Sequence, residues 1–164
     1  MDINKESLEE FCNEVDKLVN PKTVLEFAIK DSNVYKVTKE EYVLSVINSM
    51  VQNNYTCTPV VDEQGKVIGV FSADSLMNFI SVNSQVIEDF SQITISDFMN
   101  YCKLDSCTDV EYTFVSKHTK ENEIRNMFKA TYEENKRLER IFVTDKGHPE
   151  EKLLGIFTHW DLQV

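Results

Sequence analysis

Four short runs, "PVV" (59–61), "VIGVF" (67–71), "IFV" (141–143) and "LLGIF" (153–157), are apolar without alternation. Each predicts a strand buried on both faces rather than one with a wet side, and helices are expected to supply the cover. Turn formers separate the members of each pair: Asp62 and Gly65 in "DEQGK", and Asp145, Gly147 and Pro149 in "DKGHPEEK". Both segments predict a hairpin with a glycine suited to positive φ. Elsewhere the apolar period lengthens. Val43, Val46, Ile47 and Met50 recur at spacings of three and four, as do Ile124, Met127 and Phe128. This predicts two amphipathic helices, following short strands at "VYKV" (34–37) and "YTFV" (112–115). Residues 3–19 place Ile3, Leu8, Phe11, Cys12, Val15, Leu18 and Val19 on one helical face, with carboxylates opposite.

These elements repeat. "TPVVDEQGKVIGVFSADSL" (58–76) and "IFVTDKGHPEEKLLGIFTHWDL" (141–162) share one plan: apolar strand, Asp, turn, apolar strand, hydroxyl residue, helical start. Upstream, "TVLEFA" (23–28) matches "TISDFM" (94–99). The chain therefore divides into an N-terminal amphipathic helix (1–20), a first repeat (21–83) and a second repeat (84–164). The fold class expected is α/β (α+β), two repeats that are each a small mixed sheet covered by helices. The chain stops barely one turn into the last helix of the second repeat, so the N-terminal helix is expected to dock where that helix is missing, against its own chain or a dimer mate.

Composition adds limits. In 164 residues, 41% hydrophobic content suffices for a core. Seventeen Lys and Arg against 28 Asp and Glu give a formal net charge of −11, which repels duplex nucleic acid and anionic membrane surfaces. No apolar run approaches the roughly 20 residues needed to span a bilayer, and "MDINKESLEE" lacks the basic and apolar regions of a signal peptide, so a cytoplasmic location is expected. In that setting Cys12, Cys57, Cys102 and Cys107, which show no CxxC spacing, read as buried free thiols rather than a disulfide framework. The basic run "ENKRLER" (134–140) reads as a solvated helix end whose cations complement the dipole.

The pattern P-V-V-D-x-x-G-K-x-I-G-V-F-S in the first copy, with G-I-F-T-x-x-D-L in the second, resembles a tandem pair of cystathionine-β-synthase (CBS) domains, the Bateman module, over residues 21–162. The resemblance implies a regulatory module without catalysis of its own, with a pseudo-twofold axis relating the repeats. It also implies clefts between the repeats for an adenosine-containing ligand such as AMP, ADP, ATP or cyclic di-AMP, a homodimer, and an effector protein not identified by this sequence. No cofactor is required. The alternative within the same family is an interaction or assembly module whose clefts hold no ligand.

Carried onto this chain, the resemblance makes Thr158 a phosphate neighbour and Asp161 an acceptor for ribose hydroxyls. A helix start offers unpaired amides to an anion, and a carboxylate can accept from two adjacent hydroxyls. The same residues also fit a helix cap, Thr158 accepting amides and Asp161 offsetting the dipole. In the first copy Ser72 takes the hydroxyl position, but Ser75 stands where the acid belongs and Asp74 comes one residue early, a rotation of about 100° on a helix. Base recognition falls on Ile141 and Phe142, and on Thr58 and Pro59 in the first copy; Phe142 also fits a core position. Arg140 fits either a phosphate or an exposed salt bridge.

Catalysis has little support. His118, His148 and His159 are scattered, and neither GxSxG nor a P-loop is present. Cys102, Cys107 and His118 match no zinc spacing and lack a fourth ligand.

Overall fold

Asn4 caps the first helix, α1 (Lys5–Val19), by accepting the Glu6 amide. The structure, a computed structural model, describes residues 4–83, 90–102, 104, 110–134, 136–158 and 161. After α1 come α2 (Val24–Phe27), β1 (Ile29–Lys30), α3 (Val43–Gln52), β2 (Cys57–Val61), β3 (Val67–Ser72) and α4 (Ala73–Asn83). The second half contributes α5 (Ile95–Phe98), β4 (Val110–Ser116), α6 (Glu121–Glu133), β5 (Arg137–Thr144) and β6 (Gly155–Phe157). The predicted hairpins are β2–β3 and β5–β6, both antiparallel, and Gly65 and Gly147 take φ of 77° and 89° in their turns.

The sheets are unequal. The larger has the order β1-β6-β5-β4 and is mixed, since β4 runs parallel to β5 while β1 and β5 flank β6 antiparallel. The smaller contains only β2 and β3. "YTFV" lies within the seven-residue β4, but "VYKV" forms a single parallel bridge, Val37 to Val60, rather than the expected strand. Pro59 explains the difference. Val37 donates to the Pro59 carbonyl and accepts from Val61, yet the next rung requires an amide at position 59, which proline lacks. The Tyr35 carbonyl takes the Thr58 hydroxyl instead, at 3.0 Å. Phe142, the counterpart of Pro59, has its amide, and the second ladder continues.

Each core takes a short helix from the other half of the chain. Ile95 and Phe98 of α5 pack with Val43, Val46, Phe71 and Phe79, and Phe79 stacks on Phe98 at 3.9 Å between ring centroids. Val24 of α2 packs with Ile124, Ile141 and Phe157. Capping boxes start both short helices: the Thr23 amide donates to Glu26 at 2.5 Å and the Thr94 amide to Asp97 at 2.9 Å. The segments following them press a backbone carbonyl against the paired glycines of the hairpins. A Cβ on Gly69 would stand 2.6 Å from the Cys102 oxygen, and one on Gly155 2.7 Å from the Ile29 oxygen.

Helices cover only one face of each sheet, which corrects the expectation from the unalternating strands. On the other face the sheets cover each other: Cys57, Val61, Val67 and Val70 of the first repeat pack with Phe142, Leu153 and Ile156 of the second. The hairpins also meet directly, the Leu153 amide donating to the Gly65 carbonyl at 2.9 Å. Two further expectations are corrected. The run 134–140 is not a helix end, because α6 stops at Glu133 and Arg140 belongs to β5, whose register with β4 begins at Arg137. Cys12 of α1 is exposed rather than buried. Among the described residues the apolar face of α1 stays open on its own chain, with Leu8, Phe11 and Leu18 51%, 63% and 82% exposed, which leaves the dimer mate of the docking expectation.

Candidate functional site

At the exits of β3 and β6 the two repeats present the same local geometry with different chemistry. The Thr158 amide and hydroxyl both donate to Asp161 Oδ2, each at 2.7 Å, and the Asp161 amide returns to the Thr158 carbonyl at 3.0 Å. Among the described residues, both bonds to this carboxylate fall on Oδ2, and a carboxylate has two oxygens with which to accept. The closed arrangement is the one seen at Thr23 and Thr94, so the helix-cap reading of Thr158 and Asp161 has direct geometric support. In the first repeat Ser72 and Ser75 close a neutral version: the Ser75 amide donates to Ser72 Oγ at 3.2 Å, and the Ser72 amide to Ser75 Oγ at 3.3 Å. Ser75 is buried and Asp74 exposed, as the spacing requires, so this exit carries no charge at the position of Asp161.

The remaining candidates separate into core and rim. Ile141 and Phe142 are fully buried. Ile141 faces the α6 side, and Phe142 packs between the repeats with its ring 5.2 Å from Phe114 and 6.2 Å from Tyr112. Thr58 is likewise fully buried and its hydroxyl is committed to Tyr35, while Pro59 lies buried in β2. All four side chains are buried, only Phe142 among them packing in the cluster between the repeats, so a base at this level would meet backbone groups.

Arg140 stays at the rim, half-buried, and the structure joins it to a residue that the sequence reading treated only as a buried thiol. Its Nε donates to Cys57 Sγ at 2.7 Å and its terminal nitrogen to the Cys57 carbonyl at 3.4 Å. Glu139 lies on the same group, accepting from Cys57 Sγ at 3.7 Å and from Thr56 Oγ1 at 3.5 Å. Burial pushes the Cys57 thiol above its ordinary 9.0, and the neighbouring Arg140 opposes that shift only in part. The thiol is therefore neutral at neutral pH. The signal for this contact was present in the repeat alignment: if Thr58 corresponds to Ile141, then Cys57 corresponds to Arg140.

Strand register places these residues around one point. Cys57 pairs with Ser72. Arg140 immediately precedes Ile141, whose register partner Phe157 immediately precedes Thr158, so both residues stand at the same end of the β5–β6 pair. Arg140 shares with Phe142 the sheet face that meets the first repeat. Across the seam a guanidinium of the second repeat meets a thiol of the first, while the strand exits carry Thr158 and Asp161 in the second repeat and Ser72 and Ser75 in the first.

Other candidate chemistry is dispersed. Among the described residues no group of three His, Cys, Asp or Glu side chains is placed to hold a metal, and no helix is long and apolar enough to cross a membrane. His118 is exposed, and the His148 amide is tied to Glu151 in the second hairpin turn. His159, Trp160 and Cys107 lie outside the described residues.

Comparison with known proteins agrees with this architecture. Residues 26–82 match the CBS domain family model. No curated protein matches the chain. Among solved structures, the chain resembles CBSX2 in complex with AMP, at 21% identity and a TM-score of 0.60 over 85% of this chain and 92% of that one. It also resembles CbpB in complex with c-di-AMP, at 12% identity and a TM-score of 0.68 over 94% and 89% of the two chains. A third similar structure is a putative acetoin utilization protein (AcuB) from Vibrio cholerae, at 15% identity and a TM-score of 0.62 over 86% and 87%. The fold is that of a tandem CBS pair.

Proposed function

We propose that this CBS pair is a non-catalytic regulatory module that binds an adenine nucleotide in the cleft of its second repeat and passes the bound state to a protein partner. The observation that supports this reading is the pair Thr158 and Asp161, bonded at the exit of β6, with Arg140 next to Ile141 at the same end of the β5–β6 pair. A guanidinium suits a phosphate, and the carboxylate suits a ribose once its second oxygen accepts the hydroxyls. The AMP complex of CBSX2 and the c-di-AMP complex of CbpB, with the same fold, support the ligand class. The first cleft, with Ser75 in place of an acid, is the weaker one. No residue set suggests a reaction, and the net charge of −11 disfavours nucleic acid and anionic membranes as partners. A cytoplasmic homodimer completes the proposal.

A second reading has an observation in its favour. The closed Thr158–Asp161 cap and the exposed apolar face of α1 suit a ligand-free assembly module. Thermal shift with AMP, ADP, ATP, cyclic di-AMP and S-adenosylmethionine separates the two. A ligand at 100 times its dissociation constant adds about 2.7 kcal/mol of stability. No shift with any of the five would leave the assembly reading.

A further inference from the structure

We infer that Cys57, a residue of the first repeat, sets the affinity of the second repeat's cleft for phosphate-bearing ligands by competing for Arg140. This rests on the nucleotide reading above and adds a control that neither repeat contains alone. Three observations carry it. Arg140 Nε and a terminal nitrogen are both engaged by Cys57, through its sulfur at 2.7 Å and its carbonyl at 3.4 Å. Arg140 adjoins Ile141, the first residue of β5 paired with β6, and Thr158 follows that residue's partner Phe157, so the guanidinium that reaches across the seam stands at the sheet end that carries the proposed phosphate position. Cys57 is 4% exposed, so it acts on a ligand through Arg140 and not by touching it.

The energetics set the direction. A neutral thiol is a weak acceptor, whereas a phosphate offers charged oxygens that match the guanidinium fork. Binding an anion in the second cleft therefore moves Arg140 from Cys57 to the ligand, and the Cys57 contact is the part of the apo state that must be given up. A poorer acceptor at position 57 frees Arg140 and favours the ligand. A better one holds Arg140 back. Glu139, beside the same thiol, keeps a negative charge near the parked guanidinium, so the competition depends on the position 57 acceptor and not on the absence of other partners.

The test is a double-mutant cycle on the full chain, titrating AMP and cyclic di-AMP, with adenosine as the phosphate-free control. Cys57→Ala is expected to tighten nucleotide binding by about threefold or more and Cys57→Ser to weaken it, with adenosine unchanged by either. In an Arg140→Met background the Cys57 effects should vanish. Melting curves show that each variant is folded. Nucleotide affinity that ignores position 57, changes equally for adenosine, or responds identically without Arg140 overturns the inference while leaving nucleotide binding intact. If neither nucleotide binds the wild-type chain, the nucleotide reading and this inference fall together.

Discussion

Cys57 Sγ and Arg140 Nε are 2.7 Å apart, and they occupy equivalent positions in the two repeats. Corresponding positions of the two repeats thus hold a thiol on one side and a guanidinium on the other. At the same level the chemistry at the two strand exits also differs, Ser72 and Ser75 on one side and Thr158 and Asp161 on the other. Symmetry of backbone is combined with asymmetry of charge, and the predictions that follow test that combination.

The clefts should be unequal. Asp161→Ala should weaken nucleotide binding by about tenfold or more, because it removes a charged acceptor, and should cost about 1 kcal/mol of stability as a lost cap. Asp74→Ala, at an exposed position one residue out of register, should change neither. Calorimetric titration of both variants decides; equal losses would remove the register argument.

Gly155→Ala and Gly69→Ala should each destabilise the fold by more than 2 kcal/mol. In both cases the new methyl meets a backbone carbonyl at 2.6–2.7 Å, and that carbonyl belongs to a segment crossing from the other half of the chain. Denaturant melts of the two variants measure this. A loss under 0.5 kcal/mol in either would mean that the crossing segment yields without cost.

Removing residues 1–19 should leave the melting temperature at low protein concentration nearly unchanged, since α1 keeps its apolar face exposed on its own chain. Docking on a dimer mate, the other form of the expectation from sequence, would show instead as a loss of stability only at concentrations where the dimer forms. Sedimentation of the full and truncated chains tests the homodimer in the same experiment. Species at 19.0 kDa only, at micromolar concentration, would exclude it. Exposed Leu44, Val51, Met77 and Val82 on α3 and α4 offer a surface for pairing that truncation retains.

Acid should destabilise the hairpin turn of the second repeat. The Lys146 amide, then the His148 amide, hold the Glu151 carboxyl below its ordinary 4.5, and Lys117 holds that of Asp145 below its ordinary 3.8. Carboxyls depressed in the folded state contribute stability above their unfolded values and lose it as pH falls through the folded ones. Melting temperature should therefore be insensitive to these two groups from neutral pH to about 5 and should decline below about 4.5. Glu151→Gln should lower stability near pH 7 and reduce the acid slope. An unchanged slope would place the acid sensitivity elsewhere.

Local features of this protein were legible in its sequence because each depends on a few adjacent residues. The repeat, both hairpins with their positive-φ glycines, and the amphipathic periods of α3 and α6 all follow from spacing and turn chemistry. So does the substitution of Ser75 for an acid. Even the missing strand at 34–37 was encoded, in Pro59, although its effect on the Tyr35 carbonyl appears only when a parallel partner is present. What the tertiary structure decided is which surfaces meet. Unalternating strands require cover on both faces but do not say whether a helix or another sheet provides it, and here each repeat covers the other. An amphipathic helix likewise does not specify its partner, and α1 keeps its apolar face exposed among the described residues of its own chain. The Cys57–Arg140 contact joins residues 83 positions apart, through the packing of two sheets whose relative placement no local pattern contains.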